Sequence, residues 1–509
     1  MCIRDRLENA RRLAYGIPGC PQTRQTKSLD FFRRLEADVS KSSRLPRWFG
    51  ELYLEFHRGT YTSMAKNKRN NRKAEIALAT VEALSAMEKT LLPQTAVDAK
   101  EMLDACWKKV LLNQFHDVLP GSCIRPVYED TDRIYSKVFT ELHYLSDSIR
   151  SRMASRISRS QDSLLVWNPL GWRRSGYVQV AWPANYDAFH LEAASGERIP
   201  VQRTVHGQAL FYAPEIPSMG YATFKIHPGQ LSSDSLHADL SKVENPYLCL
   251  RFNEAGQIYS IFDREAQREL LPEGEFANRL ESYEDRPHCY DAWEIEPYHK
   301  EKAWLLDAPV NFELVENGPH RAVYHTEYQY LDSKIEQDII VYAKSRRIDF
   351  VTTADWHEQH ILLKAAFPTE LLAANASFEV QFGAVERPTH YNTSWDTARF
   401  ETCAQKWADL SEADYGAALL NDCKYGYDIH DSVLRLSLIK AATFPNEVAD
   451  QGRHSFTYSL LPHIGGWRQG EVSRQSYDLN RPLQAQLLTG EVKGLPNRYS
   501  CLLYTSRCV

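Results

Sequence analysis

LLNQFHDVLPGSCI, residues 111–124, closes one amphipathic run and opens the next. Ahead of it Leu103, Cys106, Val110 and Asn113 recur at spacings of three and four, which predicts a helix over 97–118. Asp117 continues that stripe, and Pro120-Gly121 stops the helix just beyond it. His116 sits about 100° around the helix from Asp117, so the two side chains face adjoining parts of one space. Carbonyls left unpaired in a last helical turn make a mildly negative site that favours a cation. A His-Asp pair at a helix end is nevertheless more often a capping or hydrogen-bonding arrangement than a pair of ligands.

Working outward, Ala77, Val81, Leu84, Met87 and Leu91 predict a helix over 71–92 that Pro93 ends, and Val138, Leu142, Leu145, Ile149 and Met153 predict another over 127–157. Three amphipathic helices with short connections make an up-down-up bundle whose stripes bury one another. Before them, residues 7–43 read as charged and irregular, with a single helix near 29–39. From Asp162 the pattern changes to short β-rich runs such as LLVWNPLGW and SGYVQVAW, punctuated by Asn-Pro and Gly, which predicts β-sandwich architecture. The fold class is therefore α+β multidomain: a three-helix bundle followed by β-sandwich-rich domains. The expected boundaries are 1–44, 45–157 for the bundle, 158–243 for a first β domain, 244–500 for a larger one, and a tail, 501–509. MCIRDR at the start and CLLYTSRCV at the end look like translated sequencing adaptor, which would make the chain a fragment.

Composition limits the function classes. With 509 residues, 43% hydrophobic and 25% charged, the chain suits several globular cores, since single cores seldom exceed ~250–300 residues. A net charge of −6 gives no general attraction to nucleic acid or to an anionic membrane, so neutral small molecules are the expected partners. No apolar stretch reaches the ~18–20 residues needed to cross a bilayer, and no signal peptide pattern opens the chain. None of the ten cysteines forms a CxxC pair, and they read as free thiols. A cytoplasmic protein is expected, with a homo-oligomer left open.

Taken whole, the string around His116 resembles the NQFHD-[VI]-LPGS signature of glycoside hydrolase family 38, the retaining α-mannosidases, in its cytosolic and bacterial branch. The stretch LPRWFGELYLEFHRGTYTS, residues 45–63, reads on its own as a packed aromatic loop or the lining of a pocket, and it too resembles the family. So do EDRPHCYDAWEI (284–295), DWHEQHILLKAAFP (355–368), the stretch from FGAVERPTH to DCKYGYD (382–428) and DQGRHSFTYSLLPH (450–463), all in family order. The resemblance implies that His116 is a ligand of a catalytic zinc and that Asp117 hydrogen-bonds hydroxyls of a bound mannose. It further implies that His57, Arg58 and Tyr61 line the sugar pocket, and that the partners are α-mannoside glycans or oligosaccharides.

Other polar residues carry weaker signals. Asp285 and Asp291 flank an aromatic turn and read as surface or turn carboxylates. His357 and His360 lack a third ligand nearby, so a separate metal site is not expected there. Lys424-Tyr425 could reach a sugar hydroxyl from a loop. The family's catalytic domain brings a His-x-Asp pair and a nucleophilic Asp, and nothing before residue 51 supplies them. No catalytic residue is therefore assigned within the chain. The reading that follows is a zinc-dependent retaining α-mannosidase without its own nucleophile, inactive alone; the alternative is a non-catalytic carbohydrate-binding or protein-interaction module derived from that family.

Overall fold

The computed structural model describes residues 3–232, 235–306 and 308–502. The outer parts of the two adaptor-like ends, residues 1–2 and 503–509, lie outside the described residues. The chain divides into two compact units, Met1–Tyr53 and Leu54–Val509. In the first, α2 (Ser28–Val39) lies where one helix is expected, but α1 (Ile3–Tyr15) occupies a stretch read as irregular. No apolar stripe announces α1. Its support includes a Glu8–Arg12 ion pair at 3.0 Å, a spacing of four that places both side chains on one face.

In the second unit α3 (Ala65–Leu91), α4 (Lys100–Asn113) and α5 (Arg125–Ala154) pack around the expected stripes, with Val81, Leu84, Cys106, Val110, Val138 and Met153 all buried. Side-chain pairs fix their directions. Asn71 meets Tyr135 near the starts of α3 and α5, and Glu88 meets Arg152 near their ends, so these two helices run the same way. On α4, Trp107 bonds Glu82 and Gln114, just past its end, bonds Asn71, so α4 runs against both.

Two helix boundaries depart from the apolar period. The third helix begins at Ala65, ahead of the expected Asn71, and its first turns are polar yet buried: Asn67, Lys68, Asn70, Asn71 and Arg72. They face polar partners instead of an apolar core. Arg72 donates to the Tyr425 hydroxyl (3.1 Å), the Asn421 carboxamide (3.0 Å) and the Gln405 carbonyl (2.9 Å), and lies 4.2 Å from the Tyr425 ring centre. The fourth helix ends at Asn113, not at Val118, so His116 and Asp117 lie on the turn that follows and not on a helical face.

The rest of the unit is antiparallel β structure. Among the described residues a nine-stranded sheet packs one face, including Tyr324, Ile339, Phe350, Leu419 and Tyr458, against two smaller sheets that contribute Leu250, Phe252 and Ile261, and Leu363, Phe367 and Leu436. A first β unit has its own core around Leu164, Val166, Phe211 and Phe224. The strand Gln484–Leu488, expected within the larger domain, returns to pair with Ser163–Asn168, and Arg498–Ser500 pairs with Gly220–Pro228. Alternating pattern shows that these residues are strand-forming; it does not name partners this remote in sequence.

The larger β unit also caps α3. Met64, at the N-cap, has φ of 57° and no capping side chain, and the first helical amides are met by Asp450, whose carboxylate accepts from Met64 N (2.9 Å) and Ala65 N (2.7 Å). A carboxylate at a helix start satisfies donors that lack partners within the helix and complements the helix dipole. Asp450→Ala should therefore cost about 1–2 kcal/mol, read as a lower urea midpoint with an unchanged slope. An unchanged midpoint would show that this cap does not hold the helix.

Candidate functional site

The turn after α4 is built from short-range closures. Gln114 N and Phe115 N donate to Leu111 and Leu112 carbonyls at 3.2 and 3.3 Å, then Val118 N and Leu119 N both donate to Phe115 O. At Gly121, φ is +96° and an added Cβ would stand 2.3 Å from Ser63 O, so both the backbone conformation and the space require glycine. Ser122 ties the turn back on itself, its amide donating to Asp117 O (3.1 Å) and its hydroxyl to Asp117 Oδ1 (3.0 Å). The second carboxylate oxygen of Asp117 lies 3.3 Å from His116 Nε2, and the His116 side chain is 75% exposed beside the Phe115 ring. The turn thus presents one imidazole and one carboxylate oxygen to solvent, side by side.

Three consecutive carbonyls of this turn are held from α3. Asn67 Nδ2 donates to Val118 O (2.8 Å), and the Lys68 ammonium donates to Leu119 O and Pro120 O (both 3.0 Å) and to Ser63 O (2.5 Å). An ammonium has three protons to donate, and here each has a carbonyl. Ser63 donates its hydroxyl to Ala292 O at 2.6 Å, which anchors the start of α3 to the larger β unit. Burial pushes the Lys68 ammonium down to about 7, opposed by Asp450 nearby. Sequence reading missed Asn67, Lys68 and Asp450 because they fall outside every apolar stripe, and Asp450 is remote in sequence from the helix it caps.

The other expected residues divide. His57 is half-buried, with Nδ1 3.2 Å from Glu55 O, and Tyr61 is also half-buried. Both belong to the segment that leads into Ser63, the residue against Gly121. Arg58 departs from the expected pocket role. It is 4% exposed, and its guanidinium is used by Glu294 Oε1 (3.0 Å), by the Ala398 carbonyl through Nη2 (2.9 Å) and by the Phe400 ring (4.6 Å).

Lys424 and Tyr425 do lie on a connection between strands, but it points inward, with Lys424 buried and Tyr425 half-buried. The ammonium of Lys424 donates to Leu438 O and sits 4.0 Å from the Phe456 ring centre, while the Tyr425 hydroxyl accepts from Arg72. Nor are Asp285 and Asp291 surface carboxylates. Asp285 pairs with the buried Lys440, yet burial still holds its carboxyl above the usual range. Asp291 accepts from Thr443 N and Thr443 Oγ1, and His360 Nδ1 stands 3.6 Å away. The His357 ring pairs with Asp355 at 3.2 Å.

A zinc site needs three or four converging ligands. Among the described residues no three His, Cys, Asp or Glu side chains are placed to hold a metal ion. His116 and Asp117 alone do not fit a zinc centre.

Lys68→Met would leave one buried and two part-buried carbonyls without this donor, so a loss of roughly 1–3 kcal/mol is expected in urea unfolding. Amide exchange should accelerate most at Val118–Ser122. Uniform acceleration over the whole chain would show that Lys68 does not hold this turn in particular. The pH dependence has a definite sign. Above about pH 7 the folded chain has lost a proton that the unfolded chain keeps up to the ordinary lysine range. The Lys68 contribution to stability therefore rises with pH across that window, and the wild type should gain stability from pH 7 to 10 relative to Lys68→Met.

Comparison with known proteins agrees with this architecture. Residues 55–153 match the α-mannosidase middle domain, and residues 243–447 match the glycosyl hydrolases family 38 C-terminal domain. Alpha-mannosidase G of Dictyostelium discoideum is 35% identical over 503 residues, an alignment covering 91% of this chain and 45% of that protein. Alpha-mannosidase 2C1 of Homo sapiens is 34% identical over 489 residues, covering 94% of this chain and 44% of that protein. The chain thus spans less than half the length of these relatives. A solved α-mannosidase from Enterococcus faecalis V583 superposes with a TM-score of 0.78 at 15% identity, over 97% of this chain and 66% of that one. Residues 55–153 and 243–447 are thus the middle and C-terminal domains of the family 38 glycosyl hydrolases.

Proposed function

We propose that this chain forms the helical and β-rich part of a zinc-dependent retaining α-mannosidase that removes terminal α-mannosyl residues from glycans or oligosaccharides. The observation that carries the reading is the His116–Asp117 turn, an exposed imidazole and carboxylate side by side on a backbone held by α3. His116 is one ligand of the zinc, and the remaining ligands come from outside the described residues. Asp117 keeps Oδ1 on Ser122 and offers Oδ2 to sugar hydroxyls. A retaining glycosidase also needs two carboxyl groups about 5–5.5 Å apart, one as nucleophile and one as acid and base. The same outside source supplies that pair. His57 and Tyr61, on the segment leading to Ser63, contribute to the walls of the sugar site. The cysteines found free in the structure suit a reducing, cytoplasmic setting.

Hydrolysis of an aryl α-mannoside tests the proposal, measured on the 509-residue chain alone and on the chain joined to the catalytic domain of a family 38 relative. The chain alone should give none. The joined protein should be active, lose that activity in His116→Ala, and lose about one to two powers of ten in kcat/KM in Asp117→Asn, the range expected for charge-assisted hydrogen bonds. Zinc-dependent hydrolysis by the chain alone, surviving purification, would overturn the claim that the reacting carboxylates lie elsewhere.

A further inference from the structure

A second cleft, of about 400 Å³, shares no residue with the His116 turn. Its walls come from the hairpin of Asn375–Val380 and Gly383–Pro388, from the loop after the strand Gly452–Ile464, and from the helix Val472–Asn480. Phe382, at the hairpin tip, is fully exposed and has φ of +61°. A bulky side chain in that region of backbone space is uncommon, and a Phe wholly in water gains nothing from burial. The two-residue turn that pairs Val380 with Gly383 sets this conformation and holds the ring out in water.

The lining also includes Trp467, whose ring packs on Trp407 at 4.9 Å and has the Arg468 guanidinium 4.0 Å from its centre, and Tyr477, with the Lys406 ammonium 4.5 Å from its ring centre. Gln381, Gln405 and Ser473 line the same cleft. Their side-chain amides and hydroxyl make no hydrogen bond among the described residues, and neither does the Trp467 indole N–H. The charged groups of the lining cancel: Lys406 pairs with Glu379 at 2.6 Å, and the second Glu379 oxygen accepts from Lys406 N. This lining offers an anion or a cation no uncompensated opposite charge. What remains is the uncovered Phe382 ring beside neutral donors and acceptors.

A pyranose matches that set. It has an apolar C–H face for a ring to lie against and a rim of neutral hydroxyls for carboxamides and an indole N–H, and the volume lies within the range of small-ligand sites. We propose that this cleft is a second saccharide-binding site, which holds a neutral hexose unit of a glycan with Phe382 as its stacking platform. The site does no chemistry. It binds in the millimolar range expected of a shallow, half-open cleft with few contacts, and it adds to affinity only when one glycan engages it together with another site.

The test is a titration of the 509-residue chain with methyl α-mannoside, an α-linked mannobiose and methyl α-glucoside, followed by Trp indole NMR signals. At least one sugar should give a saturable shift of the Trp467 signal. In Phe382→Ala, whose exposed ring is not needed for folding, the dissociation constant should rise roughly tenfold or more with no change in melting temperature. Gln405→Ala should weaken binding as well. Asp117→Asn should leave the shift intact, which separates this site from the one at the His116 turn whatever the fate of that reading. Absence of a saturable shift with all three sugars would overturn the proposal, as would binding unaffected by Phe382→Ala. It would equally fall if the signals moved with protein concentration alone, for then the cleft meets a second copy of the chain.

Discussion

A buried ammonium with three carbonyls around it is the interaction on which the site depends. Lys68 lies at the start of α3 and reaches Ser63, Leu119 and Pro120, so the loop that enters the bundle and the turn that carries His116 and Asp117 are held by one side chain. Burying a charge is expensive unless its hydrogen-bonding capacity is filled. Here it is filled by backbone alone, and backbone carbonyls cannot rotate away as side chains can. An exposed pair that must meet a ligand with fixed geometry gains from that rigidity.

The clamp is itself held in place. The first amides of α3 rest on Asp450, Ser63 bonds Ala292, and Arg58 joins Glu294, Ala398 and Phe400. Each of these partners belongs to the larger β unit. The bundle and the β sheets therefore share one polar interface that begins beside the site. It explains why the first turns of α3 are polar and buried together: they are an interface, and their partners are fixed carbonyls, carboxamides and a tyrosine.

Much of this was legible in the sequence where apolar periodicity speaks. The stripes of α3, α4 and α5 gave the bundle, and the Pro120-Gly121 break marked the turn. The beginning of α3 was not legible, because Asn67, Lys68 and Arg72 look solvent-facing until their partners near residues 119, 421 and 450 are known. The same blindness to distant partners hid the burial of Arg58, expected in the sugar pocket, of Lys424, expected on a reaching loop, and of Asp285, expected at the surface or in a turn; all three are buried in ion pairs or carbonyl contacts. It also hid the return of Gln484–Leu488 to the first β unit. His116 and Asp117 stood out through the motif around them, since a His-Asp pair by residue type alone is common.

The most direct test of the account is a crystal structure of the chain joined to a family 38 catalytic domain, with a mannose-shaped inhibitor bound. The account predicts Asp117 Oδ2 within about 3 Å of an inhibitor hydroxyl, His116 Nε2 on a metal ion, and Leu119 and Pro120 still held by Lys68. An inhibitor and metal bound elsewhere, with His116 and Asp117 still facing solvent, would contradict it.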